Sequence, residues 1–159
     1  MESKKAFTIR WWEAALLGGA AVAGAAIFLT YEWRVGGRWG FPLDDTWIHL
    51  QYARNIAAGG GFSFNAGEPS PGSTAPLWTL LLAALHFLPW PVMHSVKACG
   101  VVLLWAGGLL TACLGRSLGL ERNWAWLGGL VVVWTPRLLW GSLSGMEVVL
   151  YMALATCGL

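Results

Sequence analysis

Apolar positions in this chain come in long blocks, not in the alternation of a half-buried strand or the one-face stripe of a surface helix. Residues 14–31 carry no charge, and at 1.5 Å per residue they cover about 27 Å, enough for one bilayer crossing. Residues 95–114 and 124–140 predict two further transmembrane helices, and 148–159 reads as the start of another, so the chain is expected to be the N-terminal portion of a longer protein. Residues 76–88 are apolar but short. About thirteen helical residues cover roughly 20 Å of a roughly 30 Å core, so this segment reads as re-entrant or juxtamembrane as readily as spanning.

Between Glu32 and Ala75 the pattern changes to Gly, Pro, Ser and Asn, and four of the eight acidic residues, Glu32, Asp44, Asp45 and Glu68, fall here. Residues 32–94 are therefore read as one loop on the outer side. Within it, Asp44 and Asp45 followed by Trp47, Ile48, Tyr52, Ala53 and Ile56 predict a capped interfacial helix over 44–58 that stops at Gly59-Gly60-Gly61. Lys4, Lys5 and Arg10 make residues 1–13 a cytoplasmic N-terminus by the positive-inside tendency. A cleaved leader, with small-residue sites such as Ala21-Val22-Ala23, is the competing reading. If 76–88 does not cross, the link 115–123 with Arg116 and Arg122 is cytoplasmic, and the turn 141–147 returns Glu147 to the face that carries Asp44 and Asp45. That arrangement is the expectation, in an all-α polytopic protein of the inner (plasma) membrane.

Composition agrees. Hydrophobic residues make up 57% of the chain and charged ones 11%, too few to cover a soluble globule of 159 residues, so the lipid bilayer is the expected partner. Ten scattered Lys and Arg and a net charge of +2 give no nucleic-acid groove. Several of the twelve Trp, among them Trp11, Trp33, Trp90, Trp124 and Trp140, stand at the edges of apolar blocks, as in aromatic belts. Cys99, Cys113 and Cys157 lie inside apolar segments without metal-ligand spacing and read as small hydrophobes. Gly18-Gly19, Gly107-Gly108 and Gly128-Gly129 suit close helix packing.

Adjacent carboxylates just beyond a membrane helix are the groups needed for a general base or for oxygen ligation of a divalent ion. On the pair alone, capping of the helix that they begin, at its positive dipole end, is the stronger explanation. The longer string Leu43-Asp44-Asp45-Thr46-Trp47-Ile48-His49-Leu50-Gln51-Tyr52-Ala53-Arg54-Asn55, then Gly61-Phe62-Ser63-Phe64-Asn65-Ala66-Gly67-Glu68, then Ser73-Thr74-Ala75-Pro76-Leu77-Trp78-Thr79, resembles the first outer loop of polytopic glycosyltransferases of the GT-C fold, the arabinofuranosyl- and mannosyltransferase-like group. Ser144-Gly145-Met146-Glu147 looks like that group's second acidic element, and the resemblance runs roughly from Phe41 to Leu154.

The resemblance implies a GT-C-like N-terminal module that transfers a sugar from a polyprenyl-phosphate donor on the non-cytoplasmic face. Asp44 would be the base that deprotonates the acceptor hydroxyl, assisted by Asp45, and Asp44 with Glu147 would hold a divalent metal, Mg or Mn. His49, Arg54, Glu68 and Arg137 are the candidate substrate-binding residues, with snorkelling or turn roles as their plainer readings. Gln51 stands where the group commonly has arginine, and Pro69 to Ser73 replace a stretch in which another acid and an aromatic are usual. The alternative is a non-catalytic small membrane subunit derived from the same family, packed against other membrane subunits. A transporter fragment is a weaker third reading, since the charges within the apolar blocks lie near their ends.

Overall fold

The computed structural model describes residues 9–159, so Lys4 and Lys5 of the N-terminal leader lie outside the described residues. Among these, the chain forms seven helices and no strand: α1 (Trp11–Gly36), α2 (Asp44–Ala57), α3 (Pro76–Leu85), α4 (Val92–Ser117), α5 (Arg122–Trp134), α6 (Pro136–Leu143) and α7 (Val148–Cys157). Helices α1 and α4 are long and apolar enough to cross a membrane. Each extends past the apolar block that predicted it, because polar residues at both ends continue the helix beyond the lipid-compatible part. Helix α3 has ten residues, about 15 Å, and Pro91 precedes α4.

The stretch 124–140, expected as one helix, is two. Pro136 has no N–H and drives the preceding residue out of the helical region, and Thr135 adopts ψ 117°. Helix α5 ends there and α6 restarts with Pro136 in its first turn. Helices α6 and α7 meet at 116°, around the turn Ser144-Gly145-Met146-Glu147, and count as one broken crossing at most.

Two ion pairs fix how α1 and α4 run. At the C-terminal end of α1, Lys97 Nζ lies 3.1 Å from Glu32 Oε2 and over the Phe41 ring. At the other end, Arg122 Nη1 lies 3.3 Å from Glu13 Oε1, and Glu13 Oε2 also accepts the Arg10 N–H. The helices are therefore antiparallel. Helices α5 and α6 together climb from the Glu13 end to the Lys97 end: Val133 packs with Leu17 and Ala21, Leu139 meets Gly24, and Leu143 meets Lys97. Helix α7 turns back beside α4, with Val149 against Leu104 and Met152 against Gly107.

Lipid is as apolar as leucine, so packing between such helices rests on close approach. A Cβ on Gly108 would press on Val133 and the Gly129 carbonyl, one on Gly129 on the Gly108 carbonyl, and one on Gly100 would overlap the Ser142 carbonyl oxygen. The paired glycines Gly107-Gly108 and Gly128-Gly129 thus bring α4 to α5 through Gly108 and Gly129. Lys97 adds a polar tie, since it also donates to the Leu143 carbonyl at 3.1 Å. Its side chain is buried and Glu32 partly so, which places the pair at the low end for broken buried ion pairs. Lys97→Met is expected to cost about 2–3 kcal/mol. Denaturant unfolding in detergent micelles measures it, and an unchanged midpoint would show that the tie contributes nothing.

Candidate functional site

Helices α2 and α3 form a hairpin at the Lys97 end, around a core of Leu50, Ala53, Trp78, Leu82, Ala83 and Val96. Their connection, residues 58–75, is held by side chains of α2. Asn55 Nδ2 donates to the Ser63 and Phe64 carbonyls, and Gln51 Nε2 donates to the Phe64 carbonyl at 3.0 Å. Tyr52 Oη bonds Ser70 Oγ at 2.8 Å and accepts the Gly72 N–H at 3.0 Å. Gln51 and Ser70, two departures from the family pattern, are thus tied into the loop scaffold.

The turn after α6 folds onto this hairpin. The last carbonyls of a helix have no partner within it. Here three successive ones are satisfied from three different helices: Leu143 by Lys97 Nζ of α4, Ser144 by the Thr46 hydroxyl of α2 at 2.9 Å, and Gly145 by Trp78 Nε1 of α3 at 2.9 Å. Lys97 also places a positive charge at the negative end of α6. Gly145 has φ 81°, a conformation that costs side-chain-bearing residues 1–2 kcal/mol, and a Cβ there would collide with Thr46 and press on Phe41. The turn is fixed in place and Glu147 with it.

Glu147 points at His49. His49 Nε2 and Glu147 Oε2 are 3.9 Å apart, both atoms are buried, and neither has a hydrogen-bond partner. The His49 ring is 1% exposed, while about a third of the Glu147 side chain remains open. On the other side of the ring, Nδ1 lies 3.2 Å from Thr79 Oγ1 and 3.3 Å from Ser73 Oγ, and those two hydroxyls are 2.7 Å apart. With the imidazole protonated the two form an ion pair; with it neutral they present one nitrogen and one carboxylate oxygen, donor types that a divalent cation takes. Among the described residues no group of three or more His, Cys, Asp or Glu gathers as a cage. Other ligands would have to come from water or substrate.

The remaining expected site residues are dispersed. Asp44 and Asp45 open α2 and are exposed; Asp44 Oδ1 accepts the Asp45 N–H at 3.0 Å, but the N-cap position is Leu43 and no side chain caps the helix, so of the two plainer roles the acids keep only that of negative charge at the positive end of the helix. Arg54 lies exposed in the last turn of α2. Glu68 sits in an exposed turn and accepts from Asn65 Nδ2 at 3.2 Å. His86 caps the end of α3, with Nδ1 2.9 Å from the Leu82 carbonyl.

Arg137 lies in the first turn of α6, about 10 Å of helix before the Ser144 turn, next to the stretch that meets Gly24 in the middle of α1.

Thr46, Ser73, Thr79 and Lys97 have no assigned role in the sequence reading. Thr46, Ser73 and Thr79 stand within the family-like strings, and Lys97 was visible as a lone cation just inside an apolar block. Comparison with protein-family models, with curated proteins and with solved structures found no match for this chain.

Proposed function

We propose that this chain is the N-terminal module of a multi-pass GT-C-type glycosyltransferase that takes a sugar from a polyprenyl-phosphate donor at the non-cytoplasmic face of the plasma membrane. The observation that carries the reading is the clamped turn, which brings Glu147 against the helix begun by Asp44 and Asp45, although about a hundred residues separate them. The family-like motif string is the second support. What supports the orientation is the pair Arg116 and Arg122, at the end of α4 and the start of α5, and a short α3 that suits a segment staying on one face.

In this reading Asp44 takes the proton of the acceptor hydroxyl as its oxygen attacks the anomeric carbon, and the polyprenyl phosphate leaves with the bonding pair. Asp45 assists from the next position. Glu147 would belong to the binding of a divalent ion, which when bound would supply positive charge against the leaving phosphate, while Asp44 stands at the exposed start of α2 and would reach that ion only through water or substrate. Arg54 is exposed on the same helix, within reach of an anionic donor.

The test uses membranes carrying the full-length protein, supplied with radiolabelled polyprenyl-phosphate sugars or with the corresponding nucleotide sugars. Lipid-extractable label should pass to acceptor from the polyprenyl donor alone. Transfer from nucleotide sugars only, or from neither, would sink the reading and leave the non-catalytic subunit.

A further inference from the structure

We infer that His49 is a metal ligand, and that His49 Nε2 and Glu147 Oε2 together hold one divalent cation of the manganese or zinc class in preference to magnesium. The inference deepens the reading of Glu147 given above. It stands on hydrogen-bond directions around one ring.

Thr79 Oγ1 donates its proton to the Ala75 carbonyl at 3.1 Å, so towards Ser73 and His49 it can only accept. With Thr79 donating to Ala75, we assign the Ser73 proton to the 2.7 Å contact with Thr79 and the imidazole hydrogen to Nδ1, the tautomer that gives both oxygens a role. In a neutral imidazole that leaves Nε2 as a bare lone pair. It faces a carboxylate oxygen at 3.9 Å, with no donor between them.

Two lone pairs facing each other in a buried gap call for a positive group between them, either a proton on Nε2, which makes the His49–Glu147 ion pair, or a metal ion, and the experiment below separates the two. Metal–nitrogen and metal–oxygen bonds of about 2.0–2.2 Å each sum to slightly more than the observed separation, so a single ion touches both atoms. An Nδ1–H held by a hydroxyl pair is also the support that ligating histidines have. About a third of the Glu147 side chain is exposed, so the carboxylate borders solvent even though Oε2 is buried. A nitrogen donor favours manganese or zinc, while magnesium prefers an all-oxygen shell.

The experiment is performed on the detergent-purified full-length protein after chelation, without sugar donor, so its failure is separate from failure of the transfer assay. Mn2+ is added and followed by electron paramagnetic resonance. The expected result is one bound Mn2+ per chain with pulsed-EPR modulation from an imidazole nitrogen, displaced by Zn2+ but not by an equal amount of Mg2+. His49→Gln should weaken Mn2+ binding at least tenfold and remove the nitrogen modulation. The wild-type spectrum alone decides the matter if the variant fails to fold. Absence of bound Mn2+, or bound Mn2+ without nitrogen coupling, overturns the inference.

Discussion

Asp44→Asn is expected to lower sugar transfer from a polyprenyl-phosphate donor by about 10²–10⁴-fold, the usual contribution of a positioned general base. The substitution keeps shape and removes the ability to take a proton. Asp44 is exposed, and its one hydrogen bond, the Asp45 N–H to Oδ1, is also available to the amide oxygen of Asn, so the loss in stability should stay below about 1 kcal/mol. A helix-dipole role and a catalytic role therefore separate cleanly. An unchanged turnover with a slightly lower unfolding midpoint would leave Asp44 as first-turn charge on the helix dipole and nothing more. Asp45→Asn should cost less activity, since it assists from the neighbouring position.

Gly145→Ala should lower stability through backbone strain and overpacking together. The left-handed backbone at φ 81° costs 1–2 kcal/mol with a side chain, and the collision with Thr46 and Phe41 adds an overpacking term, about 3 kcal/mol together. The three carbonyl contacts to Lys97, Thr46 and Trp78 converge on residues 143–145, so relief of the clash has to displace the turn that aims Glu147. Denaturant unfolding measures the first effect, and Mn2+ retention the second. A Gly145→Ala protein with wild-type stability would mean that the turn is not clamped.

The long apolar blocks were legible because a bilayer crossing needs only length and absence of charge, and both are local properties. Helix α2 was legible from its acidic start and its triple-glycine stop, and the structure ends it at Ala57, one residue from the expected boundary. The break at Pro136 was not resolved. A proline inside an apolar block can kink a helix or end it, and the choice here is set by Leu139 fitting against Gly24, a contact from a distant helix.

The same holds for the site. The acidic residues could be read as candidates, but the Lys97–Glu32 and His49–Thr79 pairs join positions 65 and 30 residues apart, and no periodicity encodes such pairings. His49 could be read only as a phosphate contact, because its burial depends on α3 packing over it.

The account depends most on Asp44, Asp45 and Glu147 sharing one membrane face. Side-specific labelling with a membrane-impermeant maleimide tests this, in a background with Cys99, Cys113 and Cys157 replaced by Ala. Single cysteines are placed at Asn65 in the loop, at Ser117 after α4 and at Val148 beside Glu147, all three exposed positions. In oriented vesicles Asn65 and Val148 should react from one side and Ser117 from the other. Labelling of Ser117 from the same side as Asn65 would mean that the segment containing α3 crosses the bilayer, would put Glu147 opposite the aspartates, and would contradict the account.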